Sequence, residues 1–272
     1  MKLNFVLRKK VLPLLNKHYS STSVRTQQLA DPFADIGKEQ EGKLIVYGQR
    51  TSRVMKVLWA AAEAGVAVER VSIPTRQLQQ EQWYYNINPK LTVPCMRDGD
   101  LVINESNSIV SYICHKYGNN LYPKSPDLLA LAWQWLEYGE TTVAANLAPI
   151  WFGVTKDIKF STKTSPADMD EVNKFVPKCV KAWKALDEHL EKDGRSYILG
   201  DSFSMADFTL GVQADRLKKS EGCGMKELQM ECFPYVDRWL KTLESRDAFK
   251  NSVGTLKPQN LDLYNPINSQ KS

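Results

Sequence analysis

Glu105 and Ser106 stand where an apolar helical pattern begins, continued by Ile109, Val110, Ile113 and Tyr117. A serine there reads as the helix cap, and the first turn of a helix offers unpaired N–H groups and a positive dipole end. Such a corner suits a small zwitterion, its carboxylate on the helix start and its ammonium on Glu105. Upstream, Pro94 lies at the start of a short β-type run. It cannot donate to a ladder, so it implies an edge position, a strand start or a cis bond in a tight turn. The backbone groups beside Pro94 can then pair with an extended peptide. Taken alone, the same residues also describe an ordinary hairpin-to-helix corner with a capping serine.

The elements that must position these groups follow from local pattern. Val93 to Met96 and Leu101 to Ile103 flank Asp98-Gly99, a hairpin signal because both turn residues tolerate positive φ. Before the hairpin, Lys43 to Tyr47 is a short strand ended by Gly48. Thr51-Ser52 then precedes a helical pattern through Val54, Leu58, Ala61 and Ala62, with Gly65 as its C-cap. Val66 to Val71 gives a second strand, and Gln77 to Tyr85 is weakly helical. This β-α-β then β-β-α order predicts a small mixed sheet with helices packed on it. Tyr117 to Pro126 is a linker, and everything beyond it is helical in pattern. Asp127 caps a segment that ends near Pro149. Pro166-Ala167-Asp168 opens another that closes at Asp193-Gly194, with Pro177 either kinking it or marking a late start. Ser204-Met205-Ala206-Asp207 is a capping box with aspartate in place of glutamate. Phe233 to Phe249 forms a last amphipathic helix. The predicted layout is residues 1–42 as leader and linker, 43–120 as the mixed domain, 127–253 as the helical domain and 254–272 as a loose tail.

The chain of 272 residues carries a formal charge of +5. Residues 1–30 hold six basic and no acidic residues, which leaves 30 basic against 31 acidic in the rest. The folded body is therefore close to neutral, and nothing in it calls for a nucleic-acid partner. Five cysteines without Cys-x-x-Cys or Cys/His ligand spacing argue against zinc, dithiol chemistry and a disulfide framework, and point to a reducing compartment. The segment from Met1 to about Ser23 is basic, acid-free and partly amphipathic, too charged to span a bilayer, and matches an organelle transit peptide. His18-Tyr19-Ser20-Ser21 resembles the cleavage region of mitochondrial presequences. The expected address is mitochondrial, with a cytoplasmic protein bearing a basic tail as the alternative.

Val93-Pro94, the hairpin, and Glu105-Ser106-Asn107-x-Ile109 together resemble the glutathione-binding half of the cytosolic-type glutathione S-transferases. The likeness spans about Lys43 to Val253. It implies a thioredoxin-like α/β N-terminal domain, an all-α C-terminal domain, and a homodimer acting on a small electrophile. It also implies glutathione as co-substrate, no metal and no membrane span. Val93 and Pro94 would then clamp the backbone of glutathione, and Glu105 with Ser106 its γ-glutamyl end. Ser204 and Asp207 would nucleate a buried helix.

The nucleophile in such chemistry is the thiolate, which a hydroxyl donor and a helix N-terminus stabilise. The turn after the first strand offers Tyr47, Thr51 and Ser52, and Tyr47-Gly48-Gln49-Arg50-Thr51-Ser52-Arg53-Val54 looks most like a bacterial-type subgroup with a hydroxyl at the helix start. Ser52 and Thr51 are preferred because the helix tip sees the dipole directly, although either also serves as a plain cap. Arg53 binds the glycyl carboxylate or pairs with a surface acid. No cysteine occupies the turn, which argues against the disulfide-exchanging and dehydroascorbate-reducing branches. Trp151-Phe152 can line an apolar acceptor pocket. Two alternatives share the fold: a non-catalytic binding or scaffold module, kept open by Thr92 where a polar anchor often precedes Val-Pro, and a glutathione-dependent peroxidase or isomerase.

Overall fold

The computed structural model describes residues 43–49, 51–154 and 169–254. The predicted leader, the Pro166-Ala167-Asp168 helix start and the tail from residue 255 lie outside the described residues.

Strand β1 (Lys43–Tyr47) alternates, and each parity serves a different core. Leu44 and Val46 join the large apolar cluster that runs on into the helical domain. Ile45 and Tyr47 face the opposite side, in a smaller cluster with Trp83 and Tyr84. Helix α1 (Ser52–Ala64) starts after Thr51, which is extended, and stops where Gly65 turns left-handed and returns its N–H to Ala61 and Ala62. Strand β2 (Ala67–Val71) pairs parallel with β1. Two short helices, α2 (Thr75–Leu78) and α3 (Gln82–Ile87), lead to the hairpin of β3 (Cys95–Asp98) and β4 (Leu101–Asn104). The sheet order is β2-β1-β3-β4, with β3 antiparallel to both its neighbours. Helix α4 (Ser106–Lys116) follows at once.

The predicted first hairpin strand begins later than its apolar run, at Cys95, after Pro94, which has no N–H for the ladder; the Val93-Pro94 bond is cis. Ser106 is the first helical residue, not the cap. Glu105 holds the cap position at φ 73°, a left-handed value that costs a non-glycine residue about 1–3 kcal/mol.

The second domain is helical throughout its described part. Helix α5 (Pro126–Tyr138) has Ser125 at its cap position, without a side-chain cap bond, and Asp127 in its first turn. It widens into a π-helical segment, Gly139–Ala144, and continues as α6 (Ala145–Val154). Pro149 therefore does not end the helix: it sits inside α6, where the fully buried Leu147 and Ile150 hold the chain helical across one missing donor. The next helical run is broken between α7 (Met169–Asn173) and α8 (Val176–Glu191), so Pro177 marks a late start. Helix α9 (Ala206–Lys219) is the buried axis. Asp207 there accepts from the backbone N–H of Ser204 and Ile198 and from the Trp239 indole. Its complete burial pushes the carboxyl up to about 6 even against those donors. The predicted last helix is two, α10 (Pro234–Glu244) and α11 (Asp247–Asn251). The break leaves Arg246 extended, and its guanidinium takes both oxygens of Glu63 on α1 at 2.6 Å.

That ion pair and Trp59 dock the domains. Trp59 of α1 lies against the rings of Phe203, Phe208 and Phe249 at 4.7–5.4 Å. Gly211 of α9 admits the indole, since a Cβ there would come within 3.0 Å of it.

Candidate functional site

The sheet register alone brings the predicted groups to one place. Tyr47 pairs with Cys95, and Cys95 with Asn104, in a single row across three strands. The next residues beyond that row are Gly48, Pro94 and Glu105. The β1–α1 turn, the Val93-Pro94 bend and the start of α4 thus share one end of the sheet. Gly48, at φ 135°, marks the closest approach: a Cβ on it would lie 3.1 Å from Val93 Cβ and 3.0 Å from Val54 Cγ2.

The bend presents free backbone. The Thr92 carbonyl is pinned from behind by the Tyr84 hydroxyl and by Asn88 Nδ2 at 2.9 Å. Among the described residues, the N–H and C=O of Val93 engage no protein group. Across the groove, α4 begins without a side-chain cap, so its first N–H groups are open, and among the described residues the buried Ser106 hydroxyl has no protein partner. Glu105 is exposed and pairs with Lys90 at 3.3 Å. An extended chain with an amino-acid head fits this groove: backbone against Val93, carboxylate on the α4 start, ammonium on Glu105.

The hydroxyl candidates separate. Thr51 holds the cap position of α1 yet makes no side-chain cap bond, so its half-buried hydroxyl is available at the helix tip. Ser52 is the first helical residue; its side chain lies outside the described residues. Tyr47 is fully buried in the smaller apolar cluster, with its ring 6.2 Å from Trp83 and 5.9 Å from Tyr84. Strand alternation puts it in the smaller cluster, against which Val93 also packs.

Models of the glutathione S-transferase N-terminal and C-terminal domains match residues 52–116 and 169–242 of the chain. Glutathione S-transferase D6 of Drosophila melanogaster is 29% identical over 191 residues, covering 69% of this chain and 80% of its own. Glutathione S-transferase F9 of Arabidopsis thaliana is 28% identical over 215 residues, covering 77% and 96%. The crystal structure of a theta class glutathione S-transferase from Xanthomonas axonopodis pv. citri, solved with glutathione bound, superposes with a TM-score of 0.67 at 28% identity. It covers 78% of this chain and 98% of that one. The chain belongs to the glutathione S-transferase family.

It is a glutathione transferase, and its fold is the thioredoxin-like domain plus helical domain that the sequence predicts. Behind the groove the transferase carries a polar cluster that sequence reasoning missed. Lys56 of α1 is 2% exposed, and its ammonium donates to Asn107 Oδ1, Glu140 Oε1 and Thr209 Oγ1. Asn107 follows Ser106 and donates on to the Leu136 carbonyl at 3.1 Å, while Thr209 donates to Asn107 Oδ1 at 3.0 Å. Burial pulls the Lys56 ammonium down, with Glu140 opposing. Burial also pushes the Glu140 carboxyl up, but Lys56 and Arg53 more than offset it and hold the carboxyl below its usual range. Arg53 spends its Nε on Glu140, at 3.3 Å, so its acid partner is a part-buried one across the domain boundary.

One signal for Lys56 was legible, a lysine inside the apolar run from Val54 to Ala62. For Glu140 there was none, because a π turn shifts the side-chain register. On the acceptor side, the half-buried Trp151 carries the Arg216 guanidinium 4.0 Å over its ring. The Phe152 side chain lies outside the described residues. Among the described residues no cluster with metal-ligand composition occurs, and no helix is long and apolar enough to cross a membrane.

Proposed function

We propose that the transferase binds glutathione in the groove between Val93 and the start of α4 and conjugates its sulfur to a small electrophile held against the helical domain. The observation that carries this is the row Tyr47-Cys95-Asn104, which aligns an unpaired backbone edge, an uncapped helix start and a free hydroxyl at one end of the sheet. Val93 pairs with the peptide backbone, and Glu105 with Ser106 holds the γ-glutamyl end. Thr51, or Ser52 beside it, donates to the sulfur, and the α1 dipole adds to the stabilisation of the thiolate. Tyr47 packs the sheet. The thiolate attacks the electrophilic carbon, the carbon–sulfur bond forms, and the leaving group departs with its electron pair. Much of the rate comes from orientation and from the preorganised anion site.

The glutathione bound in the Xanthomonas relative supports the co-substrate. Detoxification of apolar electrophiles is the role this chemistry suits. We further propose a homodimer, as is usual for the fold, and import into mitochondria through the basic segment from Met1 to about Ser23; sizing chromatography and a reporter fused to that segment test them. Retention on immobilised glutathione with turnover of an aryl halide supports the enzymatic reading. Retention without turnover would favour a binding module, and no retention would overturn both.

A further inference from the structure

The peptide unit on which glutathione binding depends lies outside the sheet. Strand β3 begins only at Cys95, so no ladder bond fixes the Thr92-Val93 unit. Two side chains from the run just before it fix it instead. The Thr92 carbonyl accepts from the Tyr84 hydroxyl and from Asn88 Nδ2 at 2.9 Å. Tyr84 stands on α3 and Asn88 at its C-terminal cap position, and both are fully buried. Asn88 also turns the chain that follows. Its Oδ1 accepts from the Lys90 N–H at 3.2 Å and its carbonyl from the Leu91 N–H at 2.9 Å. Leu91 sits at φ 53°, a left-handed value that costs a leucine about 1–3 kcal/mol and persists only where its surroundings hold it.

A trans peptide is planar, with its C=O and N–H pointing opposite ways, and it rocks only about the single bonds on either side. The Thr92-Val93 bond is trans. Two donors that reach the Thr92 oxygen from behind therefore aim the Val93 N–H forward, into the groove. Resting on the glutathione transferase reading above, we propose that Tyr84 and Asn88 are positioning residues for glutathione: they touch no substrate, and they set the direction of the Val93 N–H that the cysteinyl carbonyl accepts. In an antiparallel pair, opposed residues exchange N–H and C=O. Cysteine is the middle residue of the extended tripeptide, so it is the one that faces Val93. The Val93 carbonyl belongs to the next peptide unit, which the Thr92 oxygen does not govern. Loss of the two pins thus weakens one backbone bond to glutathione and spares the other. Burial pushes the Tyr84 phenol above its ordinary range, so it stays a donor through neutral pH. Its ring packs with those of Tyr47 and Trp83 at 5.8–5.9 Å, contacts that Tyr84→Phe retains.

The test compares Kd for two ligands by calorimetry on the full-length enzyme and its variants. γ-Glutamylcysteamine keeps the γ-glutamyl end, the amide N–H and the thiol of glutathione but lacks the cysteinyl carbonyl and the glycine. The glycine is missing for wild type and variant alike, so its contribution cancels in the comparison. Tyr84→Phe should weaken glutathione about two- to tenfold, the range of one neutral hydrogen bond, and leave γ-glutamylcysteamine unchanged. Asn88→Asp, which sets a carboxylate against the Thr92 carbonyl, should lose at least as much on glutathione. In turnover the loss should fall in KM for glutathione, with kcat and the acceptor KM preserved. Gln79 Nε2 holds the Leu91 carbonyl at 3.2 Å, so Gln79→Leu loosens the same turn without touching the Thr92 oxygen and should alter neither affinity. Equal weakening of both ligands by Tyr84→Phe, no weakening, or the same pattern in Gln79→Leu would overturn the proposal while leaving the transferase reading intact. Failure of the wild-type enzyme to bind glutathione would overturn both.

Discussion

Lys56→Met tests the buried cluster that joins the two domains. The substitution keeps the volume of the stem and removes the one cation bonded to Asn107, Glu140 and Thr209 together. Glu140 is left with Arg53 alone at 3.3 Å, a partner that is itself exposed, while Asn107 Oδ1 keeps the Thr209 hydroxyl. Removing one partner of a buried pair costs about 3–5 kcal/mol. The retained Arg53 and Thr209 contacts reduce that, so a loss of about 2–4 kcal/mol is expected. Urea unfolding measures it, and the cycle with Glu140→Gln decides its cause. Neutralising the stranded carboxylate should restore part of the loss, a coupling of about 1.5 kcal/mol or more. The pH dependence supplies a second readout. Because the folded Glu140 carboxyl titrates below its ordinary value of 4.5, its contribution is present above that pH and is lost as pH falls through the lowered folded value. Lys56→Met should weaken that acid loss. Additivity of the two substitutions within about 0.5 kcal/mol, or an unchanged acid limb, would refute the reasoning.

Two further outcomes follow from particular residues. Gly48→Ala places a Cβ at φ 135° and within 3.1 Å of Val93, so stability should drop by about 1–3 kcal/mol and KM for glutathione should rise with little change in KM for the acceptor; equal movement of both constants would contradict the approach of the turn to Val93. Asp207→Ala strands the N–H groups of Ser204, Ile198 and Trp239, and should cost about 3 kcal/mol or more while the folded fraction keeps its kinetic constants; altered constants in the folded enzyme would give Asp207 a part in the site.

Much of the architecture was legible because it rests on short-range pattern. The β-type run Lys43–Tyr47, the Asp98-Gly99 turn and Gly65 each declare an element locally, and the structure forms all three; of the Ser204-to-Asp207 box it forms the half in which Asp207 accepts from the Ser204 N–H, with Met205 at the cap position. The misplacements arose where tertiary contacts override local signals. Pro149 stays helical under the packing of Leu147 and Ile150, and the last helix breaks where Arg246 reaches Glu63. For the groove, residue type suggested Val93-Pro94 and Glu105-Ser106, but only the register shows that they meet the β1–α1 turn. Tyr47 was ambiguous because parity in a strand of five residues says which residues share a face, not which face is the groove. The Lys56 cluster was hidden for a further reason: its members come from four elements far apart in the chain, and the place of Glu140 depends on a π turn.

The most direct test of the central claim is the acidity of glutathione bound to the enzyme, read from thiolate absorbance as pH is raised. If the α1 tip and a hydroxyl there hold the sulfur, bound glutathione should ionise at least one unit below the ordinary thiol value of about 8.5. Thr51→Ala, Ser52→Ala or the pair should move it back up, and Tyr47→Phe should not. A bound thiol that titrates at the free value, or one that shifts only in Tyr47→Phe, would contradict the account.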